Sequence, residues 1–419
     1  MTDDAAASAD DSPSPAGSRD EAWAEALLDD VVDLLRLGET IRSDAVERAV
    51  RAVPRHRFAS ETLVEEVYDP YVAVPVAAAE HGGTLAPLSI QIMLLEEAGI
   101  APRARVGECG SGGYAAALAR ELVGPRGEVV SIAAPGGTDR VNRLLTEAGY
   151  DDVRVVHAGT EGPVPGLEPL DVLLINESVW EVPPEWGRWL AADGRLVLPL
   201  QIKGLTLAIA FDRAGDRLVS TSVQHCDYAF PDSAAAHGPV FVGVGDLAFR
   251  FDDEGPLQPQ KLHRLGRAPS AERAEIWTGV HMVPPESVVP LLLYLAAHLP
   301  GFCTMTAAPG VDDHGPEELP VPAVLVGASF AGLVMRPAAE SAESFEFGVQ
   351  GFGPERQEVT GLMASCVRAW NELRHTAPRI TIVPADTPED RMPAGQVIEK
   401  VHSTVVLSWS PAARCPQGG

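Results

Sequence analysis

The chain has 419 residues, 46% of them hydrophobic, and a formal net charge of −27, so two domains with separate cores are expected. The acidity disfavours a nucleic-acid-binding role, because such binding depends on Lys and Arg side chains that neutralise phosphates. No apolar run approaches the roughly 20 residues that cross a bilayer, and the N-terminus resembles no targeting signal, so a soluble cytoplasmic protein without membrane association is predicted.

The N-terminal region is predicted to be a tail followed by packing helices. Residues 1–20 are rich in Asp, Ala, Ser and Pro, and carry too little apolar surface to offset the entropy of ordering, which predicts disorder. Apolar spacing then predicts four elements: helices over residues 21–37 and 41–53, an extended segment over 68–76, and a helix over 88–98.

A glycine cluster at residues 110–113 joins a strand-like segment to a helix-like one. Glycines let the backbone turn sharply and approach a ligand, and the free N–H groups of a helix start favour an anionic group. The order is typical of a nucleotide-type cofactor site, and predicts Glu108, Gly110, Gly112 and Gly113 as cofactor-binding residues. The alternative is a glycine-rich turn without a ligand.

Between residues 105 and 200, strands alternate with short helices, which predicts a doubly wound parallel sheet of the α/β class. A hairpin over 205–224 is expected to finish this sheet. Ligands of such sheets lie at the carboxyl ends of the strands. Asn176, followed by Glu177 and Ser178, stands at such an end and is a further candidate, although an Asn/Ser turn with an exposed Glu explains it equally well.

The rest of the chain predicts a second unit. Residues 226–275 are rich in Gly, Pro and charge and are predicted to be an irregular connector after a domain over 21–225. Residues 276–419 predict an α+β domain with a mostly antiparallel sheet. This domain serves either packing and dimerisation or peptide recognition. Five scattered cysteines argue against a disulfide framework and a zinc site, so no metal is expected.

Several segments, in the right order over residues 21–224, resemble the protein-L-isoaspartate O-methyltransferase family. They are Val53-Pro54-Arg55-His56-Arg57-Phe58, Tyr68-Asp69, Gly82-Gly83-Thr84, residues 106–114, Gly149-Tyr150-Asp151-Asp152-Val153, and Asp193-Gly194-Arg195-Leu196-Val197-Leu198-Pro199. The resemblance implies a Rossmann-like class I methyltransferase fold and S-adenosyl-L-methionine as the methyl donor. It also implies that the acceptor is a carboxylate on a peptide or protein.

The C-terminal part resembles the extra domain of a subgroup of that family, the actinobacterial FxLD-system methyltransferases that accompany ribosomally made, modified peptides. The motifs are Phe345-Glu346-Phe347-Gly348-Val349, Ala369-Trp370, Arg379-Ile380-Thr381-Ile382 and Met392-Pro393-Ala394-Gly395-Gln396. This similarity implies that the acceptor is an aspartate of a modified precursor peptide.

The acceptor segment departs from the family pattern. Thr84 keeps a hydroxyl, but Ala86 stands where the family has the serine that orients the acceptor, and alanine makes no side-chain hydrogen bond. Thr84 and Ser89 are therefore the catalytic candidates, Ser89 as a substitute for the missing serine. A helix-start cap is the alternative role of Ser89.

The cofactor positions depart as well. The glycine cluster is one residue short before Tyr114, and Ala133 replaces the acid that binds the ribose hydroxyls. Residues 158–160 lack the acid that faces the adenine. Asp139 and Glu161 are the nearby substitutes. The sequence leaves open an O-methyltransferase with a remodelled pocket and a catalytically degenerate member that binds a peptide or partner; a ligand-binding regulator is a weaker third.

Overall fold

The computed structural model describes residues 15–59, 62–75, 84–134, 136–157, 167–226, 240–244, 247–251, 273–307, 320–338 and 341–409. Its helices are α1 Pro15–Leu37, α2 Asp44–Ala52, α3 Val64–Val67, α4 Leu88–Ala98, α5 Tyr114–Val123, α6 Thr138–Glu147, α7 Pro184–Trp189, α8 Val289–His298 and α9 Arg356–Leu373. The first strands are β1 Val74–Pro75, β2 Thr84–Leu85, β3 Arg105–Cys109, β4 Glu128–Ala133, β5 Arg154–His157, β6 Leu170–Ile175, β7 Leu190–Ile202, β8 Leu205–Ala214 and β9 Arg217–His225. The others are β10 Val240–Val244, β11 Leu247–Phe251, β12 Ala274–Met282, β13 Phe302–Ala307, β14 Val321–Val326, β15 Ser329–Ala338, β16 Ser341–Phe352, β17 Pro378–Pro384, β18 Gln396–Glu399 and β19 Ser403–Trp409.

Helix α1 begins earlier than the composition predicts. Residues 15–20 are helical rather than part of a tail, whereas residues 1–14 lie outside the described residues. Leu28, Val31 and Leu35 recur at helical spacing and are buried in the core. This stripe anchors the helix, and its polar first turns extend past the anchor.

The predicted parallel sheet is confirmed. Strands β5, β4, β3, β6 and β7 lie side by side in this order and pair in parallel. The chain leaves β3 in one direction for β4 and β5, and returns on its other side for β6 and β7. The carboxyl ends of β3 and β6 therefore flank the point where the strand order reverses, which is where ligands bind in such sheets.

The sheet does not end at the hairpin of β8 and β9. Strand β17 pairs antiparallel with β9, and β19 and β18 follow, so the last strands of the chain extend the first sheet. The predicted division at residue 276 therefore does not follow the strand pairing. Sequence periodicity identifies each strand but does not show which strand it pairs with. Here the partners are far apart in the chain: the Ile380 N–H donates to the Ser220 hydroxyl across 160 residues.

The predicted connector contains regular structure. Strands β10 and β11 form a hairpin within residues 226–275, and β11 pairs with β13 in a second sheet of the described residues, ordered β10-β11-β13-β14-β15-β16-β12 and antiparallel throughout. Phe249 and Phe251 are both buried, with polar or small residues between them, which is the alternation of a half-buried strand. The surrounding Gly, Pro and charged residues obscured this short pattern.

The two sheets share hydrophobic core. One buried cluster combines Leu198 and Leu207 of the first sheet with Leu293 of α8, Phe347 of the second sheet and Trp370 of α9. The seven-stranded antiparallel sheet confirms the predicted strand-rich C-terminal region, but its helices bury their apolar sides in a core that both sheets line.

Candidate cofactor and acceptor site

Three glycines shape the turn that follows β3. Gly110, Gly112 and Gly113 have φ angles of +86°, +62° and +99°. Side chains with a Cβ atom rarely adopt this region, so the turn requires glycine. Helix α5 begins at Tyr114, directly after the last glycine.

Ser111 closes this turn on itself. Its carbonyl oxygen accepts a hydrogen bond from the Tyr114 N–H at 3.3 Å. Its hydroxyl accepts one from the Ala115 N–H at 3.0 Å. Two of the free N–H groups at the start of α5 are therefore engaged within the protein, which reduces the donors available to an anionic group.

Glu108 is the centre of a buried hydrogen-bond network. Its Oε1 accepts from the Ser111 N–H at 2.8 Å and from Asn176 Nδ2 at 3.1 Å, and its Oε2 accepts from the Ser131 hydroxyl at 2.9 Å. The residue is only 1% exposed. One carboxylate thus joins the glycine turn, β4 and the end of β6, so its first role in this arrangement is to hold the site together.

Two carboxyl groups with perturbed acidity lie beside the turn. Desolvation raises the pKa of Glu108 above its usual range, although its bonds from Ser111 and Ser131 oppose the shift. Desolvation also raises the pKa of Glu177, whose charge is felt at Glu108. The negative potential of this pair makes the site unfavourable for a further anion and favourable for a cation.

The loop after β6 reaches the same turn. The Asn176 N–H donates to the Cys109 carbonyl at 2.8 Å, and the side-chain Oδ1 is buried without a partner among the described residues. The Glu177 side chain packs against Gly110. A Cβ atom built at position 110 would lie 2.9 Å from Glu177 Cδ and 3.0 Å from Oε1. Sequence reasoning noticed Glu177 but did not select it, although its place after a buried strand was the available signal.

The predicted acceptor segment packs against the turn from the other side. Thr84 and Leu85 form β2, which pairs with β1, and the Leu85 side chain lies within 3.8 Å of a Cβ atom built on Gly112. Ala86 is buried. Leu85, the neighbour of Thr84 in the chain, thus lies against the cofactor turn, while the catalytic role of Thr84 stays a prediction.

Ser89 lies within α4 rather than at its cap. The helix begins at Leu88 after Pro87, which contributes no side-chain cap, so the capping role considered for Ser89 is not observed. Ser89 is 8% exposed, and its N–H donates to the Pro70 carbonyl at 2.9 Å. Its role as a substitute for the missing serine stays a prediction.

Arg55 holds the acceptor segment in place, a role that the sequence did not reveal. Its side chain is fully buried, with Nη2 donating to the Ala86 carbonyl at 2.7 Å and Nε to the Val67 carbonyl at 3.1 Å. Nη1 donates to the Gln91 side chain, and the guanidinium lies 5.3 Å from the centroid of the Tyr114 ring. A single cation therefore ties the acceptor segment to the helix that follows the glycine turn.

Ala133 is the residue that the family resemblance aligns with the ribose-binding acid. Ala133 ends β4 and is 6% exposed. The Gly137 N–H donates to the Ala134 carbonyl at 2.9 Å, which forms a short turn before α6, and Asp139 lies exposed in the first turn of that helix. The predicted adenine-facing positions and Glu161 lie outside the described residues.

The C-terminal hairpin of β18 and β19 contacts the loop that carries Asn176. Glu181 Oε1 accepts hydrogen bonds from the His402 N–H and from the Ser403 N–H, the latter at 2.9 Å. Nearby, Lys400 Nζ lies 3.9 Å from the centroid of the Trp180 ring. The last strands of the chain therefore support the site loop directly.

Removal of the Glu181 carboxylate is expected to loosen this support. Glu181→Ala leaves two backbone N–H groups without their acceptor and should lower the free energy of unfolding by about 1–3 kcal/mol. Amide hydrogen exchange of the turn at residues 400–403 and of the loop at 176–181 should accelerate together. Glu399→Ala, an exposed change in the same hairpin, is the control; equal acceleration in both variants would contradict the coupling.

A cavity of about 450 Å³ lies at the other end of the first sheet. Ala104, Asp171 and Val172 line it, and these residues stand at the starts of β3 and β6. Ligands of doubly wound sheets bind at the carboxyl ends of the strands. This cavity is therefore distinct from the candidate site.

The site fits the polar end of a nucleotide-type cofactor. The glycine turn has no side chains of its own at Gly110, Gly112 and Gly113, and the unpartnered Asn176 Oδ1 offers a buried acceptor beside it. The strand order together with this turn defines a Rossmann-like class I methyltransferase fold. The ribose end fits less well, because Ala133 supplies no acceptor. None of the helices that the structure describes is long and apolar enough to span a membrane.

Comparison with known proteins agrees with this class. Residues 27–231 match the family described as protein-L-isoaspartate(D-aspartate) O-methyltransferase. The protein-L-isoaspartate O-methyltransferase of Roseiflexus sp. (strain RS-1) is 30% identical over 209 residues, which is 49% of this chain and 91% of the relative. The enzyme of the same name from Methanothermobacter thermautotrophicus is 29% identical over 172 residues, 41% of this chain and 77% of the relative.

Among solved structures, a protein-L-isoaspartate O-methyltransferase is 18% identical with a TM-score of 0.45, covering 84% of this chain and 96% of that chain. The chain belongs to the protein-L-isoaspartate O-methyltransferase family. The cofactor of this class is S-adenosylmethionine, as predicted. The alignments with the Roseiflexus and Methanothermobacter relatives cover 49% and 41% of this chain.

Proposed function

We propose that this protein transfers a methyl group from S-adenosylmethionine to an Asp or isoAsp carboxylate of a peptide or protein. The observation that carries the proposal is the Glu108 network, which joins the glycine turn, β4 and the loop after β6 at the carboxyl edge of a methyltransferase sheet. The family membership supports the same reaction.

The reaction makes modest demands on acid–base chemistry. A carboxylate nucleophile is already ionised at neutral pH, and the cofactor supplies a methyl group on a good, neutral leaving group. Positioning therefore provides most of the rate. In this chain Thr84 is the candidate hydroxyl of the acceptor segment, and Arg55 holds that segment through the Ala86 carbonyl.

We propose a modified precursor peptide as the acceptor. The support is the resemblance of the C-terminal motifs to the FxLD-system subgroup. The Ser403 N–H of β19 donates a hydrogen bond to Glu181, so the C-terminal strands that extend the first sheet contact the site loop, and we propose that they influence which peptide enters.

A second candidate is a degenerate member that binds a peptide or partner protein without methyl transfer. Two buried alanines favour it: Ala133 at the ribose position and Ala86 at the acceptor position. The loss of the ribose acceptor alone corresponds to about 1.5–3 kcal/mol, or roughly ten- to a hundredfold in cofactor affinity.

Calorimetric titration with S-adenosylmethionine separates the two candidates. Binding with a dissociation constant in the micromolar range, followed by transfer of a labelled methyl group to an isoaspartyl or precursor peptide, is the expected result. The absence of binding at millimolar cofactor would remove the enzyme proposal. Binding of the cofactor without transfer to any carboxylate peptide would favour the degenerate member.

A further inference from the structure

The Glu177 side chain fills the space beside Gly110 of the cofactor turn. Gly110 has a φ of +86°, and a Cβ atom there would lie 2.9 Å from Glu177 Cδ. A carboxylate thus covers the backbone that the amino-acid end of the cofactor must approach.

The two carboxylates of the site have no basic partner in the part of the chain that the structure describes. Glu108 uses its oxygens to accept from Ser111, Ser131 and Asn176, all of them neutral groups. No ion pair joins Glu177 to a described Lys, Arg or His side chain. Crowded carboxylates normally have a cation beside them, so their arrangement here leaves a place for a positively charged ligand.

Asn176 supplies an independent observation. Its side chain is 1% exposed, and its Nδ2 donates to Glu108 Oε1 at 3.1 Å and to the Cys109 carbonyl at 3.3 Å. These bonds assign the amide orientation and leave Oδ1 as a buried acceptor without a partner among the described residues. A buried acceptor of this kind is normally satisfied by a donor.

We infer that Glu177 and Asn176 Oδ1 together bind the α-ammonium group of the cofactor's amino-acid end, an inference that rests on the proposed function. An ammonium group has three donors and no acceptor, which matches a carboxylate and an amide oxygen beside one turn. The charge of Glu177 also provides affinity at the amino-acid end, whereas Ala133 provides none at the ribose.

Binding of the ammonium group is coupled to the ionisation of Glu177. Desolvation raises the pKa of Glu177, and the titratable groups near it, Glu108 and the Cys109 thiol, are acids that add no positive charge. A bound ammonium group favours the ionised carboxylate and lowers this pKa again. Below the raised pKa, binding therefore releases a proton, and affinity rises as the pH rises through it.

The test compares two ligands that differ in the amino-acid end. S-Adenosylhomocysteine carries the ammonium group, whereas 5′-methylthioadenosine lacks the whole amino-acid part. Calorimetric titration of the full chain should show that Glu177→Gln lowers the affinity for S-adenosylhomocysteine by about ten- to a hundredfold. The affinity for 5′-methylthioadenosine should stay the same. Glu185→Gln, in α7 at a partly exposed side chain, is the matched control and should change neither.

Proton release is tested by repeating the titrations in buffers of different ionisation enthalpy. The inference is supported if the binding enthalpy varies with the buffer for the unmodified chain but not for Glu177→Gln. Equal affinities of the Gln variant and the unmodified chain for S-adenosylhomocysteine would overturn the inference alone. Equal weakening of both ligands would also overturn it, because it would indicate a structural effect. If the unmodified chain binds neither ligand, the proposed function fails and the inference with it.

Discussion

Replacement of Arg55 by methionine is expected to lower the free energy of unfolding by about 3–5 kcal/mol. The guanidinium is fully buried and donates to the Val67 and Ala86 carbonyls and to the Gln91 side chain. Methionine fills much of the volume but leaves these buried acceptors without their donors. Equilibrium unfolding in urea, followed by circular dichroism, measures the loss.

Two further variants show whether the geometry of Arg55 matters. Arg57→Met removes an exposed arginine that pairs with Glu21 at 3.0 Å, and should cost less than about 1 kcal/mol. Arg55→Lys keeps the charge but not the planar fork, and should recover only part of the stability. The same loss in Arg55→Met and Arg57→Met would show that the buried contacts do not stabilise the fold.

The second large effect concerns affinity. Ala133→Asp is expected to tighten S-adenosylmethionine binding by about ten- to a hundredfold, because it restores a carboxylate for the ribose hydroxyls at the carboxyl end of β4. Ala133 is 6% exposed and pairs with His157 at the edge where ligands of this sheet lie. Calorimetric titration gives the dissociation constants of the variant and the unmodified chain.

The control places the same charge one residue later. Ala134→Asp adds a carboxylate at an exposed position that follows the strand, and should change the affinity by less than about threefold. Similar tightening in both variants would indicate a general electrostatic effect on a cationic cofactor. No tightening in Ala133→Asp would show that the ribose is held elsewhere, for example by Asp139.

The parallel strands and the glycine turn were predictable because their signals are local. Val129, Val130 and Ile132 are all buried and form an apolar run, interrupted only by Ser131, of the kind that a strand buried on both faces requires. The backbone has positive φ angles at Gly110 and Gly113, which glycine adopts readily, so the residue type itself predicts the turn. The hairpin of β10 and β11 was missed because two five-residue strands lie among Gly, Pro and charged residues.

The candidate site was predictable in part. The sequence identified Glu108 and Asn176 as site residues, and the structure joins them by a hydrogen bond of 3.1 Å. It did not identify Arg55, because an arginine within a short motif carries no sign of being buried. Nor did it select Glu177, since only the folded chain places this carboxyl group against Gly110.

The sequence by itself determined the family, the parallel core of the first sheet and the absence of an acid at Ala133, because each is expressed in residue type and short-range order. The tertiary structure alone decided that β17 joins β9 and that Glu181 supports Ser403, contacts between residues more than 150 positions apart. Hydrophobic periodicity marks which face of an element is buried but not what covers it. For that reason the partner strands, the buried cation and the carboxylate on the cofactor turn became visible only in the folded chain.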